Sequence, residues 1–484
     1  MTVTTPQLQP AREGAFHGLA SSVRRLSISQ AIRRLLRMAL LLLAARMLGV
    51  DVFGTYALVL TIVEMMSIIS GFGYMDFLTR EVAQRPETAV ALGIKVAVLR
   101  WGYMVPSLGL ALLALEALHF SRPVLLNVSL LALTLVPRAA AEAAQGVLKG
   151  LERFSPLPWI ELVQGSFTLV TAALFVSVGY GLSGVITGEI LGATAGAALV
   201  ISSVAGHASF VRSETPSLRK LMRSTFAFNI YPFIVNVYDR VDVVLLAKLA
   251  GNFATGIYSL PYRIFATLQI IPYSIMGALL PGFSASAAGH EVREKCAAAM
   301  KILYLCALLL LLATLTFTDS VVLVLLGKGY ASSIVTLKIL VWAAAPAFLN
   351  SALNTLLLAA HREKCFLWTA SVCTVFNIGA NLVLIPRFSF IAAAGVTVAT
   401  ECLLLAQNLY LTRRFLGQAI LPKDAAGITA CFVLALAAFW VLGRGGVPQI
   451  WAGSAVCLAF AVFALQMFGG LPHILAMAGG RRTP

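Results

Sequence analysis

The sequence predicts an all-α polytopic membrane protein of about fourteen transmembrane helices: two six-helix lobes in a parallel pseudo-twofold repeat, plus two extra helices. Three observations carry this reading. Of 484 residues, 59% are hydrophobic and 12% charged, with a mean hydropathy of +0.89, whereas a soluble domain is about 25% charged and 45–50% apolar. Apolar runs of roughly 20 residues, the length that spans a bilayer as a helix, follow one another with short punctuation. A motif near the start of the chain returns 202 residues later.

The runs fall at 28–49, 53–73, 89–115, 123–147, 158–179, 182–205, 226–249, 254–283, 302–326, 334–358, 365–386, 390–411, 425–443 and 449–470. Residues 1–26 are polar and mixed, the pattern of a cytoplasmic segment and not of a cleavable signal peptide. Arg24, Arg25, Arg33, Arg34 and Arg37 precede or open the first run and are read as holding that end in the cytoplasm. With that start, alternation puts 24 of 36 basic residues on the inner side and 4 on the outer. The net charge of +16 therefore serves orientation in the bilayer; it is spread in short clusters between apolar runs, not in the single stripe that binds nucleic acid.

Gly49-x4-Gly54-x-Tyr56 recurs as Gly251-x4-Gly256-x-Tyr258, and Gly184-Val-Ile-Thr187 is echoed by Gly395-Val-Thr397. Six crossings per half is an even number, so the halves run parallel. The expected domains are a cytoplasmic segment 1–26, an N-lobe 27–206, a cytoplasmic linker 207–224 read as a surface helix, a C-lobe 225–412, spans 13 and 14 within 425–470, and a cytoplasmic tail 471–484.

The stretches Ala45–Tyr56 and Gly71–Val82 resemble the opening signature of bacterial polysaccharide and oligosaccharide-lipid flippases, members of the multidrug, oligosaccharidyl-lipid and polysaccharide exporter superfamily. Asp242–Leu246 with Gly256–Arg263, and Leu326–Tyr330 with Ala347–Asn354, are similar to later parts of it. The likeness runs through 27–415. It implies translocation of a polyprenyl-pyrophosphate-linked oligosaccharide from the inner to the outer leaflet of the bacterial inner membrane, with both termini cytoplasmic, serving O-antigen, exopolysaccharide or capsule export. The implied partners are that lipid-linked substrate, membrane lipid, and a polysaccharide polymerase and glycosyltransferases. Lipid II flippases and cation-coupled drug antiporters of the same superfamily are the alternatives.

A pyrophosphate head crossing the bilayer needs a hydrated, positively lined cleft. Arginine suits it, since its planar fork stays charged and donates paired hydrogen bonds to phosphate. Arg100, Arg138, Arg240 and Arg263 lie well inside spans. They are the expected substrate-binding residues, Arg263 foremost, because the resemblance implies a functional arginine near it in lipid II flippases. Arg138 with Glu142 four positions on, and Asp239 beside Arg240, also fit neutralised interior struts. Lys338 is read as snorkelling to an interface. Glu64 and Glu189 have no basic residue three or four positions away. They are the expected ion-coupling residues, for H+ or Na+. Glu189 also sits in the ladder Gly184-x3-Gly188-x3-Gly192-x3-Gly196, a pattern that permits close helix approach.

Other motifs fail on context. Gly179-Tyr-Gly-Leu-Ser-Gly184 falls at a turn between spans, without the strand–turn–helix setting of a dinucleotide site, and no G-x4-GK[ST] loop is present. No cofactor and no metal is expected from the scattered histidines and unpaired cysteine spacing. A membrane polysaccharide polymerase or ligase would carry a large outer loop, whereas the outer connections here are short, so no enzyme is expected.

Overall fold

The computed structural model describes residues 9–71, 73–205, 217–285, 290–360, 362, 364–416 and 425–467. Residues 207–216 of the expected linker, the first eight residues and the tail 471–484 lie outside them. Among the described residues the protein is all-helical, with no strand. The helices are α1 (Gln9–Leu48), α2 (Val50–Gly71), α3 (Tyr74–Gln84), α4 (Ala89–Ala117), α5 (Arg122–Ala132), α6 (Leu135–Gly150), α7 (Leu157–Phe175), α8 (Gly181–Ala205) and α9 (Leu218–Leu249). They continue with α10 (Gly251–Leu268), α11 (Ile270–Ala285), α12 (His290–Leu325), α13 (Ala331–Leu340), α14 (Ala344–Ala359), α15 (Lys364–Leu416), α16 (Ala425–Arg444) and α17 (Gln449–Met467).

Among the described residues, eight helical stretches are long and apolar enough to cross a membrane. Two of these each contain a pair of the runs read from the sequence: Leu157–Ala205, and Cys365–Phe415, which is broken at Ser389 by a left-handed backbone angle (φ 53°). The remaining runs fall on α1, α9, α10 with α11, and α17. α1 carries Arg33, Arg34 and Arg37 inside its apolar half, which is why its composition does not resemble a simple span.

The chain forms two compact units, Met1–Arg240 and Val241–Pro484, divided inside α9. The repeated motif has the same local structure in both. Gly49 ends α1 at φ 76° and Gly251 follows α9 at φ 85°, a left-handed conformation that a side chain opposes. In each unit this turn delivers a tyrosine, Tyr56 or Tyr258, that is 0% exposed.

Two expectations about segments change. Polar residues from Gln9 onward are helical and continuous with the first apolar run, so α1 is 40 residues long; Pro10 in its first turn suits a helix start. The end of the expected surface linker, from Leu218, is instead the beginning of α9, because Leu221 is buried among Tyr74, Leu78 and Val82.

In the first unit, α7 and α8 pack tightly along the predicted glycine ladder. A Cβ built on Gly188 would lie 2.7 Å from the backbone of Ala172, and one on Gly192 would lie 1.8 Å from Thr168 Oγ1. Gly165 of α7 admits Leu36 of α1 in the same way, its built Cβ 2.5 Å from the leucine side chain. In the second unit, Ile428 and Phe432 of α16 and Val456 and Phe460 of α17 share a core with Leu305, Leu308, Leu311 and Leu312 of α12. Lys338 does not reach for an interface alone: its Nζ lies 2.7 Å from Asp319, which also accepts from Gln449 at the start of α17.

Candidate functional site

The first unit encloses a cavity of about 290 Å³ lined by charged and polar side chains from five helices. Helical spacing presents them. Arg33 and Arg37 are one turn apart on α1; Arg138, Glu142 and Gln145 follow at three-to-four spacing on α6, as do Glu161, Gln164 and Thr168 on α7. α2 contributes Glu64 and α8 contributes Glu189. The glycine ladder brings α7 and α8 close enough for these side chains to share one space.

The charges form an alternating chain. Arg138 Nη2 donates to Glu189 Oε2 at 2.9 Å, and Arg37 Nη1 donates to the same oxygen at 3.0 Å. Arg37 Nη2 reaches Glu64 Oε1 at 3.4 Å, and Arg240 of α9 donates to Glu64 Oε2 while its Nε donates to Asn236 at 2.7 Å. The hydroxyl of Tyr56 donates to Glu189 Oε1. Two further pairs flank the chain: Arg33 with Glu161, to which Gln145 Nε2 also donates at 3.3 Å, and Arg100 with Glu142. The Glu189 side chain is 1% exposed, whereas Arg37 and Arg138 keep 28% and 25%. All three line the cavity, with the guanidinium groups the more exposed part of the cluster and the Glu189 carboxylate the more deeply buried. Arginine carries five N–H donors, so the ion pairs leave donors for an incoming acceptor.

The structure sorts the expected residues. Arg138 lines the cavity, and Arg240 reaches into its charge chain through Glu64. Arg100 is buried and holds Glu142 from behind; it is not among the lining residues. Arg263 lies on α10 of the second unit, half-buried, and is not among the residues of this cavity. The strut expected between Arg138 and Glu142 does not form as such, since each pairs with a residue on another helix. Glu64 and Glu189 are not partnerless carboxylates: three arginines from α1, α6 and α9 serve them. The lining is accordingly a mixed network and not a purely cationic surface. Sequence reasoning missed Arg33, Arg37, Glu161 and Tyr56 as site residues. The signal was present for Arg37, which lies nine residues inside the first apolar run, but it was absorbed into the orientation of that run.

The model of the family described as polysaccharide biosynthesis protein matches residues 19–287. Among solved structures, the chain is similar to an inward-facing multidrug resistance MATE family transporter of the MOP superfamily, with a TM-score of 0.67, 14% identity, and coverage of 82% of this chain and 98% of that one. It is similar to the lipid II flippase MurJ in an inward closed conformation, with a TM-score of 0.61, 14% identity, and coverage of 91% and 98%. A MOP superfamily transporter from Pyrococcus furiosus, described as having a binding pocket of reversed polarity, matches with a TM-score of 0.59, 14% identity, and coverage of 82% and 95%. At such identities the likeness is one of fold, and the fold is that of transporters and a flippase. No curated protein sequence matches the chain significantly.

Proposed function

From the premise that the chain belongs to the polysaccharide biosynthesis protein family, we propose that it is a flippase. It carries a polyprenyl-pyrophosphate-linked oligosaccharide from the inner to the outer leaflet of a bacterial inner membrane by alternating access, for O-antigen, exopolysaccharide or capsule export. The single observation that carries this reading is the cavity in the first unit, where Arg138 presents donors from a helix of membrane-crossing composition and Arg37 from the apolar half of α1. Charge-assisted, forked bonds from arginine are the natural recognition of phosphate oxygens. The polyprenyl tail stays in lipid while the head crosses. Fourteen crossings, paired lobes and cytoplasmic termini belong to the same proposal.

Direction comes from an H+ or Na+ gradient or from the membrane potential. Glu64, 18% exposed against 1% for Glu189, is the carboxylate placed to exchange an ion with the cavity. A polymerase and glycosyltransferases are the proposed partners. The test is complementation of a strain lacking its oligosaccharide-lipid flippase, scoring glycolipid in the outer leaflet. Wild-type protein restores it and Arg138→Ala does not. Restoration of lipid II flipping alone, or drug efflux without glycolipid transfer, would replace this reading by one of the two superfamily alternatives.

A further inference from the structure

The cavity holds two arginines whose like charges should drive them apart. Arg37 Nη1 and Arg138 Nη2 lie 3.0 and 2.9 Å from one oxygen, Glu189 Oε2, so the two nitrogens are at most about 6 Å from each other. The carboxylate between them is what makes that spacing tolerable, since opposite charge at this range offsets the repulsion. Its second oxygen is taken by the hydroxyl of Tyr56, which is itself 0% exposed, so the carboxylate has little freedom to turn. Residues of α1, α2, α6 and α8 thus meet at one acid, which is far less exposed than the two guanidinium groups that line the cavity beside it.

Resting on the flippase reading, we propose that Glu189, held by Tyr56, is a positioning residue. It pins Arg37 and Arg138 into a paired clamp for the two adjoining phosphates of a diphosphate, and so selects diphosphate-linked over monophosphate-linked lipid carriers. A lone phosphate satisfies one guanidinium fork; two phosphates joined by a bridging oxygen engage both at once. A clamp assembled before the ligand arrives spares the cost of ordering it. Glu189 contacts no substrate in this scheme and acts through the arginines.

The test uses the purified full-length chain in lipid nanodiscs, titrated separately with inorganic pyrophosphate and orthophosphate at constant pH and ionic strength. Wild-type protein prefers pyrophosphate by about tenfold, within the usual range for coupled interactions. Glu189→Gln, similar in shape, loses most of that preference; Glu189→Asp and Tyr56→Phe keep part of it. Asp319→Asn removes the same charge outside the cavity, where the carboxylate pairs with Lys338, and it keeps the preference. The clamp is overturned by a wild-type chain without preference, by Glu189→Gln with wild-type preference or tighter pyrophosphate binding, or by an equal loss in Asp319→Asn. Should Glu189→Gln not yield monodisperse protein, wild-type preference in both Glu189→Asp and Tyr56→Phe overturns it. A chain that shows the clamp but moves no lipid-linked oligosaccharide removes the flippase reading alone. One that transports, with a preference indifferent to Glu189, removes the clamp alone.

Discussion

Tyr56 and Tyr258 occupy equivalent places in the repeated motif and make the same bond: each hydroxyl donates to a buried carboxylate, Glu189 in the first unit and Asp242 in the second. Tyr258 also shares a 3.1 Å hydrogen bond with Thr397, a residue of the second repeated motif. Two fragments recognised as repeats in the sequence therefore touch within the second unit. Hydrogen bonds to charged groups contribute about 1.5–3 kcal/mol. Tyr56→Phe and Tyr258→Phe are each expected to lower the melting temperature of the detergent-purified protein. An unchanged melting temperature in either would mean that its hydroxyl bond contributes nothing to the fold.

Arg138→Ala should reduce glycolipid transfer by about tenfold or more, the equivalent of one charge-assisted bond. Arg138→Lys should fall between, since lysine keeps the charge and loses the fork. Arg263→Ala should lose less than Arg138→Ala, because Arg263 stands outside the charged cavity. Transport assays at matched expression check the order, and a reversed order would return the site to α10.

Arg100 and Glu142 are unequal partners, with side chains 4% and 34% exposed. Removing the glutamate strands a buried guanidinium, while removing the arginine leaves a carboxylate that solvent reaches. Glu142→Gln should therefore destabilise more than Arg100→Met, approaching the roughly 3–5 kcal/mol of a broken buried pair. Comparing the two melting temperatures decides it; the opposite ranking would mean that Arg100 acts mainly by packing.

Two glycines that look alike in sequence should behave differently. Gly188→Ala forces a methyl to within 2.7 Å of the Ala172 backbone, an overpacking that costs about 1–3 kcal/mol. Gly395→Ala meets nothing within 4 Å and gains up to about 1 kcal/mol of helix propensity. Thermal unfolding of the two variants should shift in opposite directions.

Local features were the legible ones. The turns at Gly49 and Gly251 and the ladder through Gly188 and Gly192 are written in short-range spacing, and each appears in the structure where the spacing puts it. Ion pairing was not legible, because the partners of Glu189 lie 152 and 51 residues away and are chosen by which helices pack together. Spacing along one helix pointed instead to Arg138 with Glu142, a neighbour four positions distant that pairs elsewhere. Arg37 was hidden for a further reason: basic residues at the mouth of a first apolar run also serve bilayer orientation, and sequence does not separate the two duties.

The tight seams at Gly165, Gly188, Gly192 and Gly196 join α1, α7 and α8 with no room between them. Those three helices behave as one plank. Any widening of the cavity falls to α2, which carries Glu64, so that opening it pulls on the contact between Glu64 and Arg37 of the plank.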